Sequence, residues 1–175
     1  MVHLEKIDWN NYRDVLKLHV SKEQENFVAD NKTSLIHAFL EQSSGIPVHA
    51  FAISDDEVTV GFILLSYLDD WSAYEREDWL NSEEFKAFDG KPYYYVWRFM
   101  IDEKYQNKGY GKQALKLALD YIKTKPDGES EYVLLSYERT NLIAKKLYFS
   151  VGFYEPSEFE KYYHDDDEIT AMLKL

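Results

Sequence analysis

Two glycines beside lysines form the most distinctive spacing in the chain. They lie in Gln106-Asn107-Lys108-Gly109-Tyr110-Gly111-Lys112, between a predicted strand and a predicted helix. The first N–H groups of a helix have no partner within it, and the helix dipole favours anions there. With Lys108 and Lys112 this makes a site for a pyrophosphate. The spacing matches neither a P-loop nor a Rossmann fingerprint, and taken alone the glycines are more typical of an ordinary helix start.

The elements around these glycines follow from hydrophobic patterning. The aromatic and apolar run Tyr93–Ile101 predicts a buried central strand, and Gly109–Lys123 predicts an amphipathic helix. A further strand is predicted over Tyr132–Tyr137, then a helix over Asn141–Val151 that Gly152 ends. A strand–loop–helix–strand–helix order therefore surrounds the candidate anion site.

The remaining patterns predict more strands and helices on both sides of this region. Strands are expected at Val2–Ile7, Val48–Ser54, Glu57–Leu68 and Ile169–Leu173, the middle two as a hairpin. Helices are expected from Trp9 after an Asp8 cap, over Glu23–Ala29, and from a Thr33 or Ser34 cap with Leu35, Ile36, Ala38, Phe39 and Leu40 as its apolar set. We expect one α/β domain over residues 1–175.

The segment Asp69–Pro92 differs from the rest of the chain because it carries eight acidic residues against three basic ones. Part of it, about Glu75–Phe88, has a helical pattern. Connections of this length are uncommon in compact domains and are often functional.

Composition restricts the classes of function. The chain has 175 residues and a formal charge of −12, so its field repels nucleic acid and anionic membranes and attracts cations. It has no cysteine, which excludes disulfides, thiol nucleophiles and Cys-ligated zinc. No apolar run reaches the roughly 20 residues of a membrane span. We expect a cytoplasmic protein that binds neither nucleic acid nor membrane.

Two motifs resemble those of the GNAT acetyltransferase superfamily. Gln106–Gly111 matches its R/Q-x-x-G-x-G/A signature, and Asn141–Tyr148 followed by Gly152-Phe153 resembles its N-x-x-A-x-x-L-Y…G-F motif. One helix and one strand separate the motifs, as in the family. The resemblance covers about Tyr93–Phe153. It implies a mixed, mostly antiparallel sheet of six to seven strands flanked by helices, with splayed central strands at an acetyl-CoA site.

The resemblance also implies roles for individual residues, with acetyl-CoA as cosubstrate and no metal. Gln106, Asn107, Lys108, Gly109, Tyr110, Gly111 and Lys112 would hold the pyrophosphate, and Phe99, Met100 and Ile101 would pair with the pantetheine. Asn141 and Ala144 would lie on the CoA arm, with Lys145 or Lys146 at a phosphate or on a solvated helix face. Tyr148 would protonate the departing thiolate, although a tyrosine on an amphipathic helix is alone more typical of a core position.

The general base is not identified by the resemblance. Animal spermidine/spermine acetyltransferases carry a glutamate where this chain has Trp97. Glu138, or Tyr93 or Tyr95 acting through water, are candidates to replace it, each more typical of a structural role. Arg98 is unusual on a buried strand and is expected to pair with an acid.

Three further sequence segments resemble those of a bacterial subgroup of spermine/spermidine and other diamine acetyltransferases. They are Glu23–Asn31, Trp97–Asp102 and Leu135–Glu138. A polyamine acceptor would need carboxylates and aromatic walls. The expected acceptor residues are Glu23, Glu25, Asp30, Asp69, Asp70 and Tyr93. These acids are equally typical of a solvated surface.

The expected function is therefore direct acetyl transfer to a small cationic amine in a ternary complex. A homodimer is the expected assembly. The alternatives are a protein lysine or N-terminal acetyltransferase, another small-amine acetyltransferase, and a non-catalytic acyl-CoA-binding module.

Overall fold

The computed structural model describes residues 1–68, 90–157 and 168–175. Within these ranges the strands are β1 (Val2–Lys6), β2 (Val48–Asp55), β3 (Val58–Leu68), β4 (Tyr93–Ile101), β5 (Tyr132–Glu138) and β6 (Glu168–Lys174). The α-helices are α1 (Tyr12–Lys17), α2 (Asn31–Ser43), α3 (Tyr110–Lys123) and α4 (Leu142–Phe149). Short 3-10 turns occupy Lys22–Gln24 and Glu103–Tyr105.

The strands form one open six-stranded sheet in the order β1-β2-β3-β4-β5-β6. Neighbours are antiparallel except β4 and β5, which are parallel and are connected through α3. The predicted α/β class and the mostly antiparallel sheet are confirmed, as is the hairpin of β2 and β3. Asp56 turns this hairpin at a positive φ of 51°.

Two hydrophobic layers cover the two faces of the sheet. On one face α3 packs Ala114, Leu115, Ala118, Leu119 and Ile122 against alternate residues of the strands, and Tyr148 of α4 joins this cluster. On the other face Val15 of α1 and Ala38 of α2 pack against β2, β3 and Met100 of β4. The alternation of strand side chains sends successive residues to the two layers, so both faces of β3 and β4 are buried.

The parallel pairing between β4 and β5 is short. It covers Tyr94–Val133, Tyr95–Leu134 and Val96–Leu135, and then stops. β4 continues to Ile101 beside β3, and β5 continues to Glu138 beside β6. The register between β3 and β4 shifts where Leu64 faces Arg98 and Leu65 faces Val96, which makes Trp97 the extra residue of a β-bulge. A bulge bends its strand, so it belongs to the divergence of β4 from β5.

Three expectations for the first helices are wrong. Asp8 does not cap a helix at Trp9; its carboxylate accepts a hydrogen bond from the Asn10 N–H, and α1 begins at Tyr12. Residues 23–29 form no α-helix: the 3-10 turn Lys22–Gln24, which a capping box at Ser21 and Gln24 begins, is followed by turns and a bend.

The third helix begins earlier than predicted. The Asp30 carboxylate accepts hydrogen bonds from the Thr33 N–H at 2.9 Å and the Thr33 hydroxyl at 2.8 Å, so Asp30 is the N-cap of α2 and neither Thr33 nor Ser34 is. Ile36, Phe39 and Leu40 of the expected apolar set are exposed, and Ala38 supplies the buried contact.

The acidic segment cannot be compared in the same way, since Asp69, Asp70 and the predicted helix over 75–88 lie outside the described residues. Within the described residues, the helices are all too short or too polar to cross a membrane.

The cap of α2 gives a prediction for stability. Replacing Asp30 with Ala should lower the free energy of unfolding by about 1 kcal/mol, because the Thr33 N–H loses its acceptor. Asp30→Asn keeps an acceptor and should stay near the wild type. Thermal unfolding of both variants, with Glu25→Ala as an exposed control, measures the difference; equal melting temperatures for Asp30→Ala and Glu25→Ala would contradict the cap.

The same cap predicts a pH dependence. The Thr33 hydrogen bonds lower the pKa of Asp30. A depressed carboxylate pKa stabilises the fold above the unfolded pKa, and that stabilisation is lost as pH falls through the folded pKa. The difference between the wild type and Asp30→Ala should therefore shrink at acid pH.

Candidate active site

A cavity of about 440 Å³ lies where β4 leaves β5. Its walls come from the end of β4, the end of β5, the start of α3, one side of α4 and the segment 24–29. Of the residues expected on the cosubstrate or as catalyst, those that line it are Phe99, Met100, Ile101, Gln106, Asn107, Gly109, Tyr110, Gly111, Lys112, Asn141, Ala144 and Tyr148. The fold thus brings the two sequence motifs to one space.

The glycine turn leaves room at the start of α3. Gly109 is the N-cap of this helix and has a φ of 85°, in the left-handed region that favours glycine. A Cβ on Gly111 would lie 3.2 Å from the Leu147 Cδ2 of α4, which is tighter than an ordinary contact. The absence of side chains here lets a ligand approach the first N–H groups of α3, which have no partner within the helix.

Two anchors hold this turn in place. The Tyr110 hydroxyl donates to the Asp55 carboxylate of β2 at 2.7 Å, which lowers the pKa of Asp55 and raises that of Tyr110. Asp102, only 3% exposed, accepts from the N–H groups of His19 and Lys104, each at 3.1 Å. The end of β4 is therefore tied both to the sheet and to the segment that follows α1.

Gln106 connects the glycine turn to the opposite wall of the cavity. Its Nε2 donates to the Gln24 Oε1 at 2.7 Å and to the Ile101 carbonyl at 2.9 Å. The Gln106 side chain is thus occupied by the protein itself, and it positions both the turn and the residues after Gln24.

The expected cationic residues differ in placement. Lys112 lines the cavity, whereas Lys108 and Lys146 do not. The Lys108 ammonium donates to the Lys104 carbonyl at 2.9 Å and lies over the Tyr105 ring. Lys146 is exposed on α4, and Lys145 pairs with Glu155 at 2.8 Å. Lys112 is the lysine of this group placed to face a bound anion.

Asn141 has a structural task in addition to its place in the cavity wall. Its Oδ1 accepts from the Ala144 N–H at 3.1 Å and caps α4. The cap orients the side chain and leaves the Nδ2 hydrogens for a ligand. The same residue therefore starts the helix that carries Tyr148 and offers donors to the cavity.

Tyr148 lies at the base of the cavity and is 7% exposed. Its ring packs between Tyr137, at 5.6 Å between centroids, and Phe153, at 6.1 Å. Burial raises its pKa far above the ordinary value, with Tyr95 and Glu168 adding to the shift. The hydroxyl therefore keeps its proton at neutral pH and can act as a donor.

The other end of the cavity is lined by aromatic and amide side chains. Trp97, at the bulge, stacks on His37 of α2 at 6.0 Å between centroids, and the Arg98 guanidinium lies 5.0 Å from the centre of the Trp97 ring. Asn26, Phe27 and Tyr95 complete this wall. It offers apolar contact and π faces to a ligand.

Among the described residues Arg98 forms no ion pair with an acid, contrary to the expectation, although the charge of Glu168 acts on it. Its Nη1 donates to the Trp97 carbonyl at 2.8 Å, and its buried Nε finds no hydrogen-bond partner among the described residues. Burial lowers the pKa of Arg98.

The expected acceptor residues do not line the described cavity. Glu23 and Glu25 are exposed on the turn beside its wall, and Asp30 caps α2. Tyr93 is fully buried at the far end of β4, where it pairs with Leu68. Asp69 and Asp70 lie outside the described residues.

Several lining residues were not foreseen from the sequence. These are Val20, Gln24, Asn26, Phe27, Val28, Ala29, Tyr105, Ser136, Tyr137, Ile143, Leu147 and Glu168. The clearest missed signal is the alternation Glu168-Ile169-Thr170-Ala171, in which a carboxylate directly precedes the predicted strand Ile169–Leu173, on the face opposite its apolar residues.

Comparisons with known proteins agree with this geometry. The sequence profile of the Acetyltransferase (GNAT) family matches residues 7–153. The spermine/spermidine N(1)-acetyltransferase of Bacillus subtilis (strain 168) is 28% identical over 154 residues, which cover 87% of this chain and 87% of that protein.

Solved structures share the fold across the whole chain. The PaiA N-acetyltransferase from Thermoplasma acidophilum, in complex with coenzyme A, superimposes with a TM-score of 0.62 at 15% identity and covers 100% of this chain and 99% of its own. A chimera of the spermidine N-acetyltransferase SpeG from Vibrio cholerae and hSSAT gives 0.62 at 16% identity, covering 99% and 94%. At such identities the likeness shows the fold alone. Since the family profile covers most of its length, the chain belongs to the GNAT acetyltransferase family.

Proposed function

We propose that this protein is an acetyl-CoA-dependent N-acetyltransferase that acetylates a primary amine of a small cationic acceptor, with a polyamine such as spermidine or spermine as the best candidate. The observation that carries the proposal is the divergence of β4 from β5 beside the start of α3, with the Tyr148 hydroxyl in the same cavity. The amine attacks the thioester directly while both substrates are bound.

The cavity residues fit acetyl-CoA as cosubstrate. After Val96, none of the described strands pairs with β4 on its β5 side, so its backbone groups from Trp97 to Ile101 can pair with the amides of the pantetheine. The first N–H groups of α3 and the Lys112 ammonium suit the pyrophosphate. The open backbone at Gly111 permits the close approach that this requires.

The chemistry needs a donor for the departing thiolate and a fixed position for the attacking amine. Tyr148 protonates the sulfur, since its hydroxyl carries a proton at neutral pH and lies in the same cavity as the thioester site. A backbone N–H of β4 near the bulge is suited to stabilise the oxyanion. Holding both reactants in one cavity lowers the entropic barrier.

The acceptor is proposed from sequence similarity, charge and the wall of the cavity. The spermine/spermidine acetyltransferase of Bacillus subtilis is similar over most of the chain. The net charge of −12 attracts polycations. Phe27, Tyr95 and Trp97 provide surfaces for methylene groups and for cation–π contact. Carboxylates at the rim, such as Glu23 and Glu25, are suited to hold the ammonium groups that do not react.

A thiol-release assay with acetyl-CoA and a panel of amines tests the acceptor. We expect spermidine and spermine to give the highest kcat/KM, above putrescine, amino acids, aminoglycosides and a peptide N-terminus. Raising ionic strength should increase KM for spermidine more than for a monoamine, because more charges are screened. Activity confined to peptides would indicate a protein acetyltransferase. Binding of acetyl-CoA without release for any acceptor would indicate a non-catalytic module.

The rim carboxylates can be tested in the same assay. Glu23→Gln and Glu25→Gln should each raise KM for spermidine by about fivefold or less, since exposed ion pairs are weak. Asp30→Asn is the matched control, because it removes a charge nearby while preserving the cap of α2. If none of these variants changes KM and salt has no effect, the rim acids do not hold the acceptor.

Removing the Tyr148 hydroxyl should slow the chemical step. Tyr148→Phe should lower kcat by roughly 10²–10⁴-fold and leave the acetyl-CoA dissociation constant nearly unchanged, because an acid catalyst acts in the transition state. Single-turnover kinetics and calorimetry measure the two quantities, with Tyr154→Phe, outside the cavity, as control. Unchanged turnover where chemistry limits the rate would make Tyr148 a packing residue.

A further inference from the structure

A carboxylate stands where β6 begins, at the rim of the cavity. Glu168 is the first residue of β6 and is paired across the strands with Glu138, the last residue of β5. It lines the cavity together with Arg98 and Tyr148, whereas Glu138 does not. Among the described lining residues Glu168 is the sole carboxylate, and no histidine is present.

Strand alternation places Glu168 on the acceptor side of the sheet. Ile169 and Ala171 belong to the hydrophobic layer under α3 and α4. Glu168 and Thr170 therefore face the opposite side, as does Ser136, whose hydroxyl lies 3.5 Å from that of Thr170. The gap between β4 and β5 joins the two sides of the sheet, so a ligand on the Glu168 side can meet a thioester held on the other.

The reaction requires a base at this place. A primary alkylamine is protonated at neutral pH, and an ammonium group is not a nucleophile. The charged or titratable side chains that line this part of the cavity are Tyr95 and Arg98 of β4, Tyr148 of α4 and Glu168. A guanidinium cannot accept a proton, and tyrosine hydroxyls lose theirs only near pH 10 or above.

The surroundings of Glu168 raise its proton affinity. Glu168 is exposed at the start of β6, yet partial desolvation raises its pKa, the neighbouring Glu138 raises it further, and Arg98 lowers it. Among the described residues none forms a salt bridge with Glu168, so Arg98 offsets its charge only from a distance. A general base works best when its pKa is shifted toward the working pH.

We propose that Glu168 is the general base of the acetyl transfer, a role that rests on the proposed function. Its carboxylate takes one proton from the acceptor ammonium, and the free amine nitrogen then forms a bond to the thioester carbonyl carbon. The C–S bond breaks as Tyr148 protonates the thiolate. The second proton leaves the nitrogen as the amide forms and restores Tyr148, while Glu168 releases its proton to solvent at the rim.

The pH profile of kcat/KM for the preferred amine, measured on the purified full chain, tests this role. E168Q should lower kcat/KM by roughly 10²–10⁴-fold near neutral pH. The deficit should shrink as pH approaches the pKa of the amine, because the free amine then no longer needs a base. E168D, which keeps a carboxylate, should retain the acidic limb of the profile and part of the activity.

Glu138 supplies a matched control on the neighbouring strand. E138Q removes the like charge that raises the pKa of Glu168, so the acidic limb should move to lower pH. A purely structural role for either residue would change the melting temperature or the acetyl-CoA affinity without moving this limb.

The outcomes separate the two claims. Amine-dependent CoA release by the wild type with the same profile in E168Q would overturn the role of Glu168 alone. No amine-dependent release by the wild type would overturn the proposed function and this role with it.

Discussion

The parallel pairing of β4 with β5 stops after three residue pairs, and the rest of the site depends on that interruption. Each strand keeps its other neighbour, β3 beside β4 to Ile101 and β6 beside β5 to Glu138, so neither strand can turn back to close the gap. The bulge at Trp97 bends β4 at the point of separation. Because a free strand edge presents unpaired N–H and C=O groups, the gap is suited to a ligand that itself carries amides.

A small set of polar contacts fixes what surrounds the gap. Asp102 ties the end of β4 to the chain after α1, and Gln106 ties the glycine turn to Gln24. Tyr110 fastens the start of α3 to the end of β2. These contacts position the cosubstrate end and the acceptor wall relative to each other. Gln106 and Asn141, which the family resemblance predicts to contact the cosubstrate, thus also support the walls of the cavity.

The sequence was sufficient to predict the regular elements with strong periodicity. β4, α3 and β5 appear close to their predicted bounds, because apolar alternation and a glycine helix start are local signals. The N-cap of α2 was predicted at the wrong residue because Asp30, Thr33 and Ser34 are all favourable cap residues. The orientation of the helix follows only from the structure, in which Ile36 and Phe39 are exposed. The sequence pattern over 23–29 does not distinguish an α-helix from a 3-10 turn, since a capping box can begin either one.

The parts of the site that are built from residues distant in sequence were harder to predict. Gly111 and Tyr148 lie within α3 and α4, whose patterns are local, and the family resemblance predicted that they would lie at one site. Glu168 reaches the cavity only through the pairing of β6 with β5, a long-range contact that no local spacing encodes. The acids expected to bind the acceptor were predicted from their charge alone. The wall of the described cavity on the acceptor side instead contains mostly aromatic and amide side chains.

Amide hydrogen exchange with and without acetyl-CoA tests most directly whether the gap between β4 and β5 is the cosubstrate site. Exchange should slow at Trp97–Ile101 and at the first residues of α3 when acetyl-CoA binds, with little change in β1 and β2. Gly111→Asp, which puts bulk and negative charge beside Leu147, should abolish both the binding and this protection. Tight binding of acetyl-CoA that leaves exchange at β4 and α3 unchanged would show that the cosubstrate binds elsewhere.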